Sequence, residues 1–178
     1  MPKIKTNDKF LYIHIRSGDI FNKPNSLYAQ PPLCFYQNII NNYKFDKVYI
    51  ISSDRLNPVI NKLIKYYPNI INKKNSIKED ISHLINAYNI VSSISSFLIS
   101  IISLNFNLKY IWDYNIYKFK EKILHFHYDL YKYPNNNFKI LRMNPSSKYK
   151  KIMSVWKNNR RQRKLMIKEI CNNFFLNN

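Results

Sequence analysis

The sequence predicts an α/β fold: a parallel sheet flanked by helices. Three observations lead there. Short apolar runs rich in β-branched and aromatic residues alternate, through about residue 115, with stretches of helical periodicity. Three of those runs break off into polar bursts, RSGD, SSD and SSISS. In a parallel sheet these bursts fall at one edge, the carboxyl ends of the strands, where such sheets hold ligands. Finally, a chain of 178 residues with 46% hydrophobic content is long enough for one domain with a real core.

The elements follow in order. FLYIHI, residues 10–15, reads as a first strand ending in the turn Arg16–Asp19. QPPLCFYQNIINNYK reads as a helix: its prolines suit the first turn, and Leu33, Tyr36, Ile39, Ile40 and Tyr43 keep helical spacing. DKVYIISSD, 46–54, is a second strand, and LNPVINKLIKYYP a helix closed off by Pro68. NIINK is a candidate short strand. SIKEDISHLINAY opens with Ser76 and Glu79 spaced as a capping box, which starts a helix. NIVSS is a further strand, SSFLISIISLN a buried helix and LKYIWD another strand. Beyond about residue 115 the pattern weakens: HFHYDLYKYPNNNFKILRM reads as a strand with loops, and the chain closes in a basic helix over about 148–174. Ile152, Val155 or Trp156, Leu165 or Met166 and Ile170 give that helix an apolar stripe. With no repeat and no low-complexity linker, residues 1–178 form a single expected domain, its core over about 10–115.

Composition bounds the function classes. The net charge of +19, from 29 Lys and Arg against 10 Asp and Glu, favours anionic partners: nucleic acid, anionic membrane or phosphorylated ligands. It reads equally well as compositional drift on solvated faces, because the chain is crowded with Lys, Asn, Ile and Tyr. Cys34 and Cys171 have no metal-like spacing. A reduced compartment is the simplest reading, with one long-range disulfide left open. The polar N-terminus lacks the apolar core of a signal peptide. Residues 89–106, the best membrane candidate, are interrupted throughout by Ser and Asn, which suits a buried strand, turn and helix. A soluble or cytoplasmic protein without a membrane anchor is the expectation.

The bursts supply the candidate site. Gly18 is the only glycine of the chain. A diphosphate needs planar, bidentate donors, which Arg16 offers, and closely approaching backbone N–H groups, which a residue without Cβ permits. Asp19 is placed to tie that loop back by accepting backbone hydrogen bonds. His14 alternates with Arg16 and either touches a phosphate or ribose oxygen or packs to orient the loop. Ser53 and Asp54 bind ribose or base, or cap the next helix. Asp80 sits in a helix's first turn, and Ser92, Ser93, Ser95 and Ser96 place four hydroxyls at a helix N-terminus, a potential anion site. His83, His125, His127, Trp112 and most tyrosines read as structural.

HIRSGDIF, YAQPPLCFY, VYIISSDRLNPVI, SIKEDISHLINAYNIV and SSISSF, in this order over about residues 10–115, resemble the nucleotide-binding half of the fucosyltransferase superfamily with the HxRRxD-type motif. That superfamily includes the α-1,2-, α-1,6- and protein O-fucosyltransferases. The segment VWKNNRRQRKLMI is similar to their C-terminal W-x-N-x-x-x-Q helix. The resemblance implies a Rossmann-like C-terminal domain of the GT-B glycosyltransferase type. It implies a GDP-fucose donor, no metal or other cofactor, and inversion at the anomeric carbon. It implies that Arg16 binds the β-phosphate and assists the leaving group, and that Asp80 faces guanine or ribose. Ser95, Ser96 and Phe97 then line the phosphate and base pocket, while His14 and Asp19 shape the loop. The motif's second arginine is Ser17 here, which removes a cation near the phosphates. Because about ten residues precede the motif, a glycan or protein acceptor is expected to meet a minimal acceptor side or one from a partner chain. Two alternatives stand beside this: an inactive nucleotide-binding relative, and a basic nucleic-acid-binding protein based on the RRQRK segment. The latter is disfavoured by the apolar stripe and the lack of a recognition motif.

Overall fold

The computed structural model describes residues 4–116, 138–171 and 176–177. It is an α/β structure of Rossmann-like arrangement. Strands β1 (Phe10–His14), β2 (Lys47–Ile51), β3 (Asn89–Val91), β4 (Tyr110–Tyr114) and β5 (Lys139–Met143) run parallel, in the order β2-β1-β3-β4-β5. A two-residue strand, β6 (Leu176–Asn177), adds antiparallel to β5. The strand order reverses direction between β1 and β3, and at such a switch point the crevice beyond the strand ends is the place for a ligand.

Alternation along the strands sorts the core into two layers. Leu11, Ile13, Ile50, Val91, Trp112, Leu141 and Met143 face one side, covered by α1 (Asp19–Asn22), α2 (Leu33–Asn42), α3 (Pro58–Tyr66), α6 (Ser147–Met153) and α7 (Arg160–Lys168). Tyr12, Ile51, Ile90 and Ile111 face the other, under α4 (Ile77–Ile85) and α5 (Ser96–Ile102). The helices start where their caps dictate. Asn57 accepts from the Val59 amide at 3.0 Å with Pro58 in the first turn of α3. Ser76 and Glu79 form the expected capping box on α4. Pro68 follows the end of α3, and Pro32 is the N-cap of α2, one position before the helical turn foreseen for it. No helix among the described residues is long and apolar enough to cross a membrane.

Four expectations change. NIINK is not a strand: only Ile71 bridges Tyr49, and the chain then turns away toward α4. The basic C-terminal helix is two helices, α6 and α7, separated by residues 154–159. Trp156 is buried there and donates through Nε1 to the Ile20 carbonyl at 2.9 Å, and Asn158 takes a positive φ of 51°. Gln162 donates to the Ile152 and Val155 carbonyls at 3.0 and 2.7 Å, closing the break. In the expected apolar stripe Trp156 and Met166 are buried, whereas Val155 and Ile170 are exposed. The buried core also continues beyond residue 115, through Leu141, Met143, Tyr149, Met153, Trp156 and Met166. Finally, Cys34 on α2 and Cys171 beyond α7 form a disulfide, with Cα atoms 5.6 Å apart. Of the two readings left open for the cysteines, the structure takes the long-range bridge. His125, His127 and the start of their predicted strand-and-loop segment lie outside the described residues, as do residues 172–174 of the predicted basic helix.

Candidate nucleotide-binding cleft

β1 ends in the segment that carries the expected site. His14 and Ile15 finish the strand's buried run, and the Ile15 amide still pairs with the Ile51 carbonyl at 3.0 Å. Arg16 then leaves the sheet at the switch point. Its backbone amide donates to Ser93 Oγ at 2.8 Å, its Nη1 to Ser95 Oγ at 3.4 Å and its Nη2 to Asp19 at 2.7 Å. Its guanidinium carbon lies 5.3 Å from the centre of the Tyr28 ring, a cation–π contact. The turn after β1 and the turn after β3 are thus joined directly. The Arg16 side chain stays 22% exposed while its Nε is buried with no partner among the described residues. An orphaned donor of this kind costs about 1–3 kcal/mol, so the loop holds Arg16 against a local penalty.

A cavity of about 370 Å³ opens beside it, a size usual for small-ligand sites. Of the expected residues, His14, Arg16, Asp19, Ser53, Asp80, Ser95 and Phe97 line this one cleft. Gly18, Asp54 and Ser96 do not. Among the lining residues not singled out in the sequence are Lys74, a second cation, and Asn75, whose side-chain amide donates to Asp80 at 2.9 Å. Both sit in the irregular stretch before α4, where no periodicity or motif marks them.

The roles of several residues differ from those expected. Gly18 has φ +66°, and a Cβ there would meet Asp54 Oδ2 at 2.9 Å and Ser53 Oγ at 3.0 Å. Its amide already donates to Asp54 Oδ1 at 3.2 Å. The glycine therefore lets the chain's own 53–54 segment approach; its N–H is not held open for a phosphate. Asp54, not Asp19, ties the loop: it also accepts from the Ser17 hydroxyl and from the Leu56 amide at 2.9 Å. Asp19 instead pairs with Arg16. Ser17, in place of a second arginine, is 2% exposed and accepts from the Asn57 amide at 2.9 Å. Asn57 in turn donates to the Arg16 carbonyl at 3.0 Å. The serine cluster is not an array of four free hydroxyls. Ser92 donates to the Ser93 carbonyl, Ser93 serves Arg16 and His14, Ser95 accepts from Arg16, and Ser96 is exposed outside the cleft.

The electrostatics follow from burial. His14 is 5% exposed, its Nδ1 3.2 Å from Ser93 Oγ, its ring 5.9 Å from Phe97. Ser93 Oγ accepts from the Arg16 amide and also lies within hydrogen-bond distance of His14 Nδ1, the direction of that second bond following the imidazole tautomer. Burial, reinforced by the Arg16 charge, pushes the imidazole down to about 3. His14 is thus a neutral group at physiological pH. Partial burial pushes the Asp80 carboxyl up, against the Asn75 hydrogen bond and the His83 charge. At the same sheet edge, beyond β3, Asp113 lies 3.8 Å from Arg142, its carboxyl raised by burial and lowered by the guanidinium. Among the described residues there is no group of three or more His, Cys, Asp or Glu side chains arranged to hold a metal.

No family model matches this chain, and none of the curated proteins matches it.

Proposed function

We propose that the cleft binds a nucleoside diphosphate sugar and that the chain is a glycosyltransferase, fucosyltransferase-like, moving a sugar from a GDP-sugar to a glycan or protein acceptor. The observation that carries this reading is Arg16. It stands at the rim of the cleft at the sheet's switch point, oriented by Ser95, Asp19 and Tyr28, with a buried Nε unpaired among the described residues. A guanidinium so placed suits a β-phosphate, whose charge grows as the bond from the anomeric carbon to GDP breaks. Lys74 supplies the second cation that Ser17 does not. Asp80 and Phe97 offer a carboxylate and an apolar ring for ribose and base. The donor's identity and the inverting, metal-independent course rest on the motif resemblance.

The test is GDP binding to the purified chain by calorimetry. Arg16→Ala is expected to weaken it about a hundredfold or more, from loss of charge-assisted hydrogen bonds, with an unchanged circular dichroism spectrum. Equal affinity in the variant sinks the reading. Release of GDP from GDP-fucose separates a transferase from an inactive nucleotide-binding relative. That release is expected to survive EDTA, and a strict divalent-cation requirement contradicts the assignment.

A further inference from the structure

The two helices that replace the expected single basic helix create a feature of their own. Two grooves of about 630 and 470 Å³ run along α6 and α7. They share Lys148, Ile152 and Arg161 and so lie side by side as one grooved face, a shallow trough. Its walls carry Lys148, Lys151, Lys157, Arg161, Lys164 and Lys168, all exposed. The one carboxylate lining it, Glu169, accepts a hydrogen bond from the Ser146 hydroxyl. Six cations against one carboxylate on the same face favour a polyanion.

The lining selects among polyanions. Among the described residues no aromatic side chain lines the trough, so a nucleic-acid strand finds phosphate contacts there but no stacking platform. Between the cations lies an apolar floor. That floor includes the half-buried aliphatic chains of Ile152 and Leu165, which suit the C–H faces of sugar rings.

The trough is also fixed relative to the cleft. The turn at its end is bonded to α1 through Trp156 to the Ile20 carbonyl and Asn158 to the Phe21 carbonyl. The first residue of α1, Asp19, grips Arg16. One four-residue helix therefore separates the trough's anchor from the arginine of the cleft. The other end is held by Cys171, bonded to α2.

We propose that this trough binds an anionic oligosaccharide, one bearing sulfate or carboxylate groups, and serves as the acceptor side of the transfer. The acceptor role rests on the glycosyltransferase reading; the binding of the anionic sugar does not. The experiment measures calorimetric binding of a heparin-derived hexasaccharide. It compares the wild-type chain, the triple variant Arg161→Glu/Lys164→Glu/Lys168→Glu, its milder counterpart with glutamine at the same positions, and Arg16→Ala. Charge reversal at three exposed cations removes three attractive surface pairs and is expected to weaken binding roughly a hundredfold. The glutamine variant falls between, Arg16→Ala binds normally, and uncharged chitohexaose does not bind. Both triple variants are expected to keep the wild-type affinity for GDP. Equal hexasaccharide binding by the wild type and both triple variants overturns the proposal, as does tighter binding of a polyuridylate of the same charge. Hexasaccharide binding that depends on the trough, in a chain that fails to bind GDP, overturns the acceptor role alone.

Discussion

Alanine at position 18 would put a methyl carbon 2.9 Å from an Asp54 oxygen and hold φ at +66°, where L-residues are strained. Either the β1 loop shifts or Asp54 withdraws, and Asp54 is the atom bank that Ser17, Gly18 and Leu56 share. Gly18→Ala is expected to cost about 1–3 kcal/mol of stability, the usual size of such strain, read as a lower urea midpoint. Because Asn57 and Ser17 hold the Arg16 carbonyl side of the same loop, GDP affinity is expected to fall with it. His14 acts on pH rather than on packing alone. Its folded pKa, about 3, lies below the ordinary value of 6.5, so the unfolded chain binds the extra proton between those limits. The stability it supports is complete above pH 6.5 and is lost as pH falls toward 3, by up to about 1.4 kcal/mol per pH unit. His14→Asn keeps a side-chain hydrogen-bonding group near Ser93 without a titrating ring. Urea titrations from pH 7 to 4.5 are expected to show a shallower loss of stability for the variant; parallel curves would remove His14 from the account.

Local elements were legible where a local rule decides them. The capping box at Ser76 and Glu79 formed as spaced, because both partners lie within one turn. Ser76→Ala is expected to cost about 1 kcal/mol and to loosen the approach of Asp80 to the cleft, visible as a lower thermal midpoint and weaker GDP binding. The strands and their polar ends were legible for the same reason, since an apolar run that stops abruptly needs no partner to be recognised. What the sequence did not disclose depends on partners far along the chain. The break between α6 and α7 follows no proline or glycine; it is set by Trp156 seeking Ile20, 136 residues away. The serine turn looked like free hydroxyls because nothing local shows that Ser93 sits beside Arg16, 77 residues away. Gly18 drew attention for the right reason, its missing Cβ. The atoms it makes room for are the chain's own, at Ser53 and Asp54.

At the scale of the whole molecule, the C-terminal helices must be held against a sheet whose first strands lie far back in the sequence. Burial does part of this: Tyr149, Met153, Trp156 and Met166 sink into the layer shared with α2 and α3. The Cys34–Cys171 bridge adds to this, closing a separation of 137 residues between α2 and the end of α7. A loop of that length loses enough freedom in the unfolded chain for the bridge to be worth about 5 kcal/mol by chain entropy alone. The contribution acts on the unfolded ensemble, so the bridge can be removed without disturbing the β1 and β3 turns, neither of which touches either cysteine in sequence. Cys34→Ala/Cys171→Ala is therefore expected to fold, to unfold at clearly lower urea, and to bind GDP like the wild type under conditions where it is folded. Its hexasaccharide binding should weaken, because α7 loses the restraint at its far end. Reductant added to the wild type should shift its urea midpoint toward that of the double variant. An unchanged midpoint in both cases would mean that side-chain burial alone fixes the C-terminal helices, and that the trough owes its shape to Trp156 and Met166 instead of the bridge.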